Sequence, residues 1–329
     1  MKSTISKSSS SLNKIALANK VTNLLARYGI VLAFFLLCGV LSLLSEYFLT
    51  TQNLSNILLQ VSINGVMAIG MTFVILTGGI DLSVGSVLAF SGMVAASFVH
   101  GDTPSSLWVA IPMGMLVGAV CGGVNGLLSA RFNIPAFVVT LGMLSAARGL
   151  TQIYSNGMPI SELSDSFLWI GQGRIFSIPI PVLILFSMLA LSWVILRYTR
   201  FGRYVYAVGG NEKSARTSGI SSIKVKIAVY AIAGLCSALA GLMVTARTTS
   251  ALTQAGMGYE LDAIAAVVIG GTSLSGGVGT IGGTLIGILI IGVINNGLDL
   301  LGVPSGYQQV IKGIVIALAV LLDRSSKRS

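Results

Sequence analysis

Between residues 28 and 322 the chain is a succession of helix-length apolar stretches that carry almost no charge. About twenty residues of helix cover the roughly 30 Å of bilayer hydrocarbon, and inside that layer each backbone N–H and C=O must find a partner within the protein. Only helices and closed barrels meet that condition. These stretches lack the regular alternation of a barrel strand, so the expected fold is all-α and polytopic. The composition agrees, with 9% charged and 54% hydrophobic residues, against about 25% charged in a soluble domain.

Ten spans are read, at 28–45, 57–77, 84–99, 107–130, 134–154, 178–196, 227–245, a short glycine-broken one from 263, 281–301 and 307–322. The net charge of +10 would suit a nucleic-acid partner, but its placement argues against one. Most of the Lys and Arg fall in the tail 1–27, at Arg131, in the loop 197–226 and in the tail 323–329. Alternation of spans puts all four segments on one side, as the positive-inside rule requires of a cytoplasmic face, with both termini there. Glu46, His100, Asp102, Glu162 and Asp165 fall in the intervening outer loops. Two places leave crossing or re-entry open: the turn at Gly78 and the short span from 263. The first apolar segment reads as a retained span and not as a cleaved leader.

Little in the chain supports catalysis. Cys38, Cys121 and Cys236 sit inside spans without ligand-like spacing, and His100 is the one histidine. No catalytic residue, metal site or bound cofactor is expected, so the chain reads as a transport subunit and not an enzyme.

The loop 197–226 carries Arg197, Arg200, Arg203, Lys213, Arg216, Lys224 and Lys226 against the single acid Glu212. Asn211 suits an N-cap, Glu212 the positive end of a helix dipole, Arg216 the other end, and Gly219 a left-handed stop. A helix over 211–218 is too short to be stable alone, so it is expected to be held by the membrane domain or by a partner that docks on it. A solvated charge run is the alternative.

Set against itself, the chain repeats Gly78-Gly79-x-x-Leu82-Ser83-x-Gly85 as Gly270-Gly271-x-x-Leu274-Ser275-x-Gly277. Both copies lie between apolar spans, as expected of duplicated halves with helices broken at Gly78, Gly79, Asp81, Gly270 and Gly271. Glycines four apart, at 114, 118, 122 and 126 and again at 279, 283 and 287, predict close backbone approach of helices. Polar side chains at membrane depth are few. Gln60 shares a helix face with Asn64, and Asn64, Asn125, Asn295 and Asn296 are candidates for a polar path suited to a neutral, hydroxyl-rich solute, with interhelical hydrogen bonding as the competing use. Asp299 is expected to pair with Lys312, and Arg247 with Glu260 or Asp262. An ion-coupled secondary transporter would need Asp81 or Asp299 at its centre.

One resemblance is specific. The run Gly202-Arg203-Tyr204 through Ala207-x-Gly209-Gly210-Asn211-Glu212, with Ala215 and Ser218-Gly219-Ile220, is similar to the cytoplasmic loop of the sugar-type permeases of ATP-binding-cassette importers, the branched-chain amino acid/ribose/xylose permease family. The stretches LTGGIDLSVGS from Leu76 and YELDAIAAVVIGGTSLSGG from Tyr259 resemble the same family. The resemblance implies a homodimer in a bacterial inner membrane, fed by a periplasmic sugar-binding protein and driven by a cytoplasmic ATPase that binds ATP and Mg. It implies that the helix at Asn211 couples to that ATPase through Gly210, Asn211, Glu212, Ala215, Arg216 and Gly219. The implied solute is a monosaccharide, D-ribose first, with xylose, galactose, allose or a furanose signalling molecule as alternatives. The chain contains no P-loop sequence of its own. The Ser- and Lys-rich tail 1–27 has no counterpart in the family and is expected to be disordered or to lie on the anionic leaflet.

Overall fold

The structure is a computed structural model that describes residues 29–101 and 106–326. The tail 1–27, Asp102 and residues 327–329 lie outside the described residues, and with them the expectations placed there. Helix α1 spans Gly29–Leu44. It is followed by α2 Thr51–Leu76, α3 Val84–Ser97, α4 Leu107–Phe132, α5 Ala136–Tyr154 and α6 Asp165–Gln172. A hairpin of two-residue strands, β1 Arg174–Ile175 and β2 Ile178–Pro179, leads into α7 Ile180–Tyr198, α8 Arg200–Gly210, α9 Glu212–Thr217 and α10 Ser222–Thr248. Helices α11 Tyr259–Ile269, α12 Ile281–Leu300 and α13 Ser305–Ser326 complete the chain.

The protein is therefore a helical membrane protein. Among the described residues six helices, α2, α4, α5, α7, α10 and α12, are long and apolar enough to cross a bilayer. Two of the spans read from the sequence are half-length: α3 has 14 residues and α11 has 11, about 21 and 16 Å of helix. The outer stretch expected to be one polar loop, 155–176, contains α6, whose Phe167 is wholly buried.

Helix α2 forms the centre, buried along almost all of its length from Ile57 to Leu76. Helix α10 packs beside it, with Gly70 against Ala233 and Cys236. The glycine ladder of α4 does what its spacing predicts: Gly118 meets Gly234 and Ala238, Gly122 the Tyr230 carbonyl, and Gly126 the backbone of Ile227. Helices α4 and α10 thus run antiparallel with backbones in contact, which lipid-embedded helices gain through dispersion because no hydrophobic drive separates them from lipid. Helices α11 and α12 do likewise through Gly283 against Gly270 and Gly287 against Ala266.

These contacts fix the two ends. Gly92 lies against Thr245 and Gly241 against Leu88, so α3 and α10 run the same way. At their exit, the bridges His100 with Leu163 and Ile160 with Ala251 tie three connections together. At the other end Gly277 N–H donates to Leu76 O at 2.9 Å, and Gly276 lies against Gly209 O and Gly78 N. Both glycine turns therefore meet at one end, together with the basic segment, as the sequence reading placed them. The order of their flanking helices is reversed: long α2 precedes short α3, whereas short α11 precedes long α12.

Candidate functional site

At the end away from the basic segment, α2, α10, α11 and α12 line an open cavity of about 640 Å³, within the roughly 300–1,000 Å³ of small-molecule sites. Its walls are Asn53, Asn56, Gln60, Ile63, Val244, Arg247, Thr248, Tyr259, Asn296, Asp299 and Leu300. Amides and hydroxyls, which both donate and accept, dominate. Arg247 and Asp299 form no ion pair with each other among the described residues. Asn53 and Asn296 are buried and exchange amide hydrogen bonds of 2.9 and 2.7 Å, while Asn53 Nδ2 also donates to Phe48 O at 2.9 Å. Such a lining is matched to an uncharged, polyhydroxylated molecule better than to an ion.

The four asparagines read as path candidates lie in four different surroundings. Asn296 lines the cavity. Asn295, one residue earlier and turned away, donates through Nδ2 to Asp262 Oδ2 at 3.0 Å. Asn64 is buried in α2, its Oδ1 without a hydrogen-bond partner among the described residues, and its helix-face neighbour Gln60 reaches the cavity. Asn125 sits under the first glycine turn, where its Nδ2 donates to Ser83 Oγ at 2.9 Å. There Ser83 donates both N–H and O–H to buried Asp81 Oδ1, at 2.9 and 2.6 Å. That arrangement holds the chain bent between α2 and α3, as local Asp and Ser bonds do in turns. Gly78 adopts φ 76° and Gly271 φ 85°, the left-handed conformation that a side chain would oppose. Gly79 leaves room for the Tyr230 hydroxyl, and Gly270 for the Gly283 carbonyl.

Sequence reasoning missed three links here. Lys312 pairs with Asp262 at 3.0 Å and not with Asp299, which instead accepts from Gln308 Nε2 at 2.9 Å. Arg247 joins no ion pair among the described residues. Arg148 donates to the carbonyls of Thr253 and Ala255 at 2.7 and 2.9 Å and so clips the segment that leads into α11. Spacing along one chain shows which residues share a helix face, but not which helix that face meets.

The basic end is built by α8 and α9. Thr199 caps α8, and its Val205 and Val208 are buried, leaving Arg200 and Arg203 outward. The sequence reading took this stretch as loop, although Phe201, Val205 and Val208 already show an amphipathic period. In α9 the expected signals all operate. Asn211 Oδ1 accepts from Ser214 N–H at 2.9 Å, Gly219 stops the helix at φ 83°, and Ile220 N–H returns to Ala215 O at 3.0 Å. Glu212 pairs with Arg216 and with Lys226, both at 2.7 Å. Burial pushes its carboxyl up, but bonds and charge from Lys226, with Ser222 and Arg216 adding theirs, hold it below the ordinary glutamate range. Ala215 is buried and packs α9 onto the body, while Asn211, Lys213 and Arg216 face outward. Gly210 is exposed, and a Cβ added there would meet nothing within 4 Å, although its own backbone lies against Gly277. A second hollow of about 570 Å³ runs from Asn211, Glu212 and Lys226 to Thr77, Gly78 and Ser275, so α9 borders both glycine turns.

Comparison with known proteins places these features in context. Residues 53–320 match the family described as branched-chain amino acid transport system / permease component. The chain is 51% identical over 301 residues to the ribose import permease protein RbsC of Escherichia coli (strain K12), covering 90% of this chain and 93% of that one. It is 52% identical over 301 residues to RbsC of Bacillus subtilis (strain 168), covering 91% and 92%. The D-allose transport system permease protein AlsC of Escherichia coli (strain K12) is 41% identical over 302 residues, 91% of each chain. No solved structure matches the chain.

Proposed function

This chain belongs to the family of branched-chain amino acid transport system permease components, and from that membership we propose that it is the membrane-spanning permease of an ATP-binding-cassette importer for D-ribose. The observation that carries the sugar is the identity of 51% and 52% to two ribose import permeases over about nine tenths of the chain. The amide-lined cavity of about 640 Å³ supports it, because a neutral polyol can satisfy those donors and acceptors without an accompanying charge. The similarity to the D-allose permease at 41% makes another monosaccharide the alternative.

In this reading the half-length helices and α13 complete ten spans with α1, and the base-rich end faces the cytoplasm with both termini. Two copies enclose the path, a periplasmic sugar-binding protein delivers solute to the cavity end, and a separate ATPase that holds ATP and Mg docks on α9. Arg216 and Lys213 present positive charge outward, while Glu212 braces the helix from behind. Because α9 adjoins Gly78 and Ser275, a push on it reaches both broken-helix turns. ATP binding then favours one arrangement of the halves over another by differential contact, as alternating access requires. Sugar moves past Asn296 and Gln60 and on along α2 by Asn64, with Asn125 and Asn295 as the further path candidates.

The test is uptake of labelled ribose into proteoliposomes containing the chain, its ATPase and its binding protein. We expect uptake to need ATP and both partners, to be abolished by E212K/R216E without loss of insertion, and to fall when Asn64, Asn125 and Asn295 are each replaced by Leu. Gradient-driven uptake by the chain alone would overturn the reading, and ATP-stimulated turnover without ribose movement would transfer it to another sugar.

A further inference from the structure

A groove of about 540 Å³ lies where α7 meets α8 at the basic end, lined by Trp193, Leu196, Arg197 and Tyr198 of α7, Tyr206 of α8, and Thr280 with Ile281 at the start of α12. It is graded from apolar to basic. Exposed Phe186, Leu191, Trp193 and Val194 carry the apolar outer face of α7 up to it. Trp193 and Tyr198 form its aromatic wall, edge to face at 5.2 Å, and aromatic residues of this kind gather where hydrocarbon meets headgroups. Tyr206 donates its hydroxyl to Gly279 O at 2.8 Å, which fixes the floor. Arg197 stands at the polar rim, and among the described residues its guanidinium has no acid partner and makes no side-chain hydrogen bond within the chain.

We propose that this groove binds one anionic phospholipid, with its phosphate on Arg197 and an acyl chain along Trp193, Leu196 and Ile281. The proposal rests on the reading that α7 crosses a membrane with its basic end at an anionic leaflet. Charge complementarity selects the occupant. A second copy would bring to this end another base-rich segment of a chain whose net charge is +10, setting like charges together, whereas a phosphodiester supplies the missing anion and a fork-shaped guanidinium binds phosphate bidentately. The groove also offers what a soluble anion would not use, an apolar wall continuous with the lipid-facing side of α7. Basic pockets at helix ends are where anionic headgroups bind.

The experiment uses full-length permease in nanodiscs with Trp108 and Trp169 replaced by Phe, so that Trp193 is the one indole. Phosphatidylglycerol with brominated acyl chains is compared with brominated phosphatidylcholine, each titrated into an otherwise unlabelled bilayer. The expected result is half-maximal quenching of Trp193 at roughly fivefold less phosphatidylglycerol, the preference one cation gives near an anionic surface. Arg197→Gln should remove the preference, while Arg174→Gln at the opposite end keeps it. Equal quenching by both lipids would leave the membrane reading intact and overturn the site. A preference that survives Arg197→Gln also overturns it. Absence of quenching by either lipid would mean a second copy covers the groove and would refute the lipid assignment.

Discussion

At Gly209 the last turn of α8 meets the end of α2 and the second glycine turn at once. A methyl group added there would land on the Leu76 carbonyl oxygen, 2.6 Å from Gly277 N and 2.9 Å from Leu76 C. Comfortable separations between carbon atoms are about 3.5–4.0 Å, so the three segments must part by roughly an ångström. The bond from Gly277 N–H to Leu76 O, 2.9 Å long, would be stretched with them. Overpacking a filled contact costs about 1–3 kcal/mol and a lost backbone hydrogen bond about 1 kcal/mol, for a total of about 2–4 kcal/mol. That is a shift of roughly thirtyfold to several hundredfold away from the joined arrangement. Gly210 is the internal control, since an added Cβ there meets nothing within 4 Å. Thermal unfolding of the detergent-solubilised permease and ATP-driven uptake should both suffer in Gly209→Ala, while Gly210→Ala melts like the parent. A Gly209→Ala permease that melts and transports normally, or a Gly210→Ala permease destabilised to the same degree, would refute the argument that this three-way backbone contact joins α8 to α2 and the second glycine turn.

Other outcomes follow from single contacts. Lys312→Met strips the cation from Asp262, whose side chain is 2% exposed, and should cost about 3–5 kcal/mol; K312M combined with D262N should recover part of the loss in a melting assay. Because Glu212 is held below its ordinary value, its support for α9 is complete at neutral pH and is lost as pH falls through the folded value, below the usual glutamate pKa of about 4.3. Binding of the ATPase, followed by co-sedimentation, should weaken over that acid range, and Glu212→Gln should flatten the dependence. Gly118→Ala, which drives a methyl group into the Gly234 carbonyl, should destabilise the permease by about 1–3 kcal/mol, read as a lower melting temperature.

What the sequence made legible was periodic or local. Glycines four apart marked the α4 face that meets α10, and Asn211, Glu212, Arg216 and Gly219 marked a helix whose cap, braces and stop are all present. Those signals are carried by neighbours in the chain, where geometry is fixed by 3.6 residues per turn. Pairings across the fold were not legible. Asp262 and Asp299 are equally acidic in the sequence, and only the placement of α13 over α11 decides that Lys312 meets the first. The amide pair of Asn53 and Asn296 joins residues 243 apart, and no local pattern singles out Asn53. Hydropathy gave ten apolar stretches and marked the one from 263 as short, but it does not show where each helix begins and ends, which for that stretch is Tyr259–Ile269, 11 residues.

The seam between α4 and α10 has a mechanical consequence. Gly118, Gly122 and Gly126 face main-chain atoms of Gly234, Tyr230 and Ile227, so at these points the two helices touch without intervening rotatable bonds. A contact of that kind has no alternative rotamers to switch between, and sliding by one residue would drive Cβ atoms into carbonyls. The pair behaves as a stiff spar. Any rocking during a transport cycle must then be taken up at joints filled by side chains, such as Leu185 over Gly65 and Thr72 against Thr284, where a change of rotamer or a hydrogen-bond swap can absorb displacement.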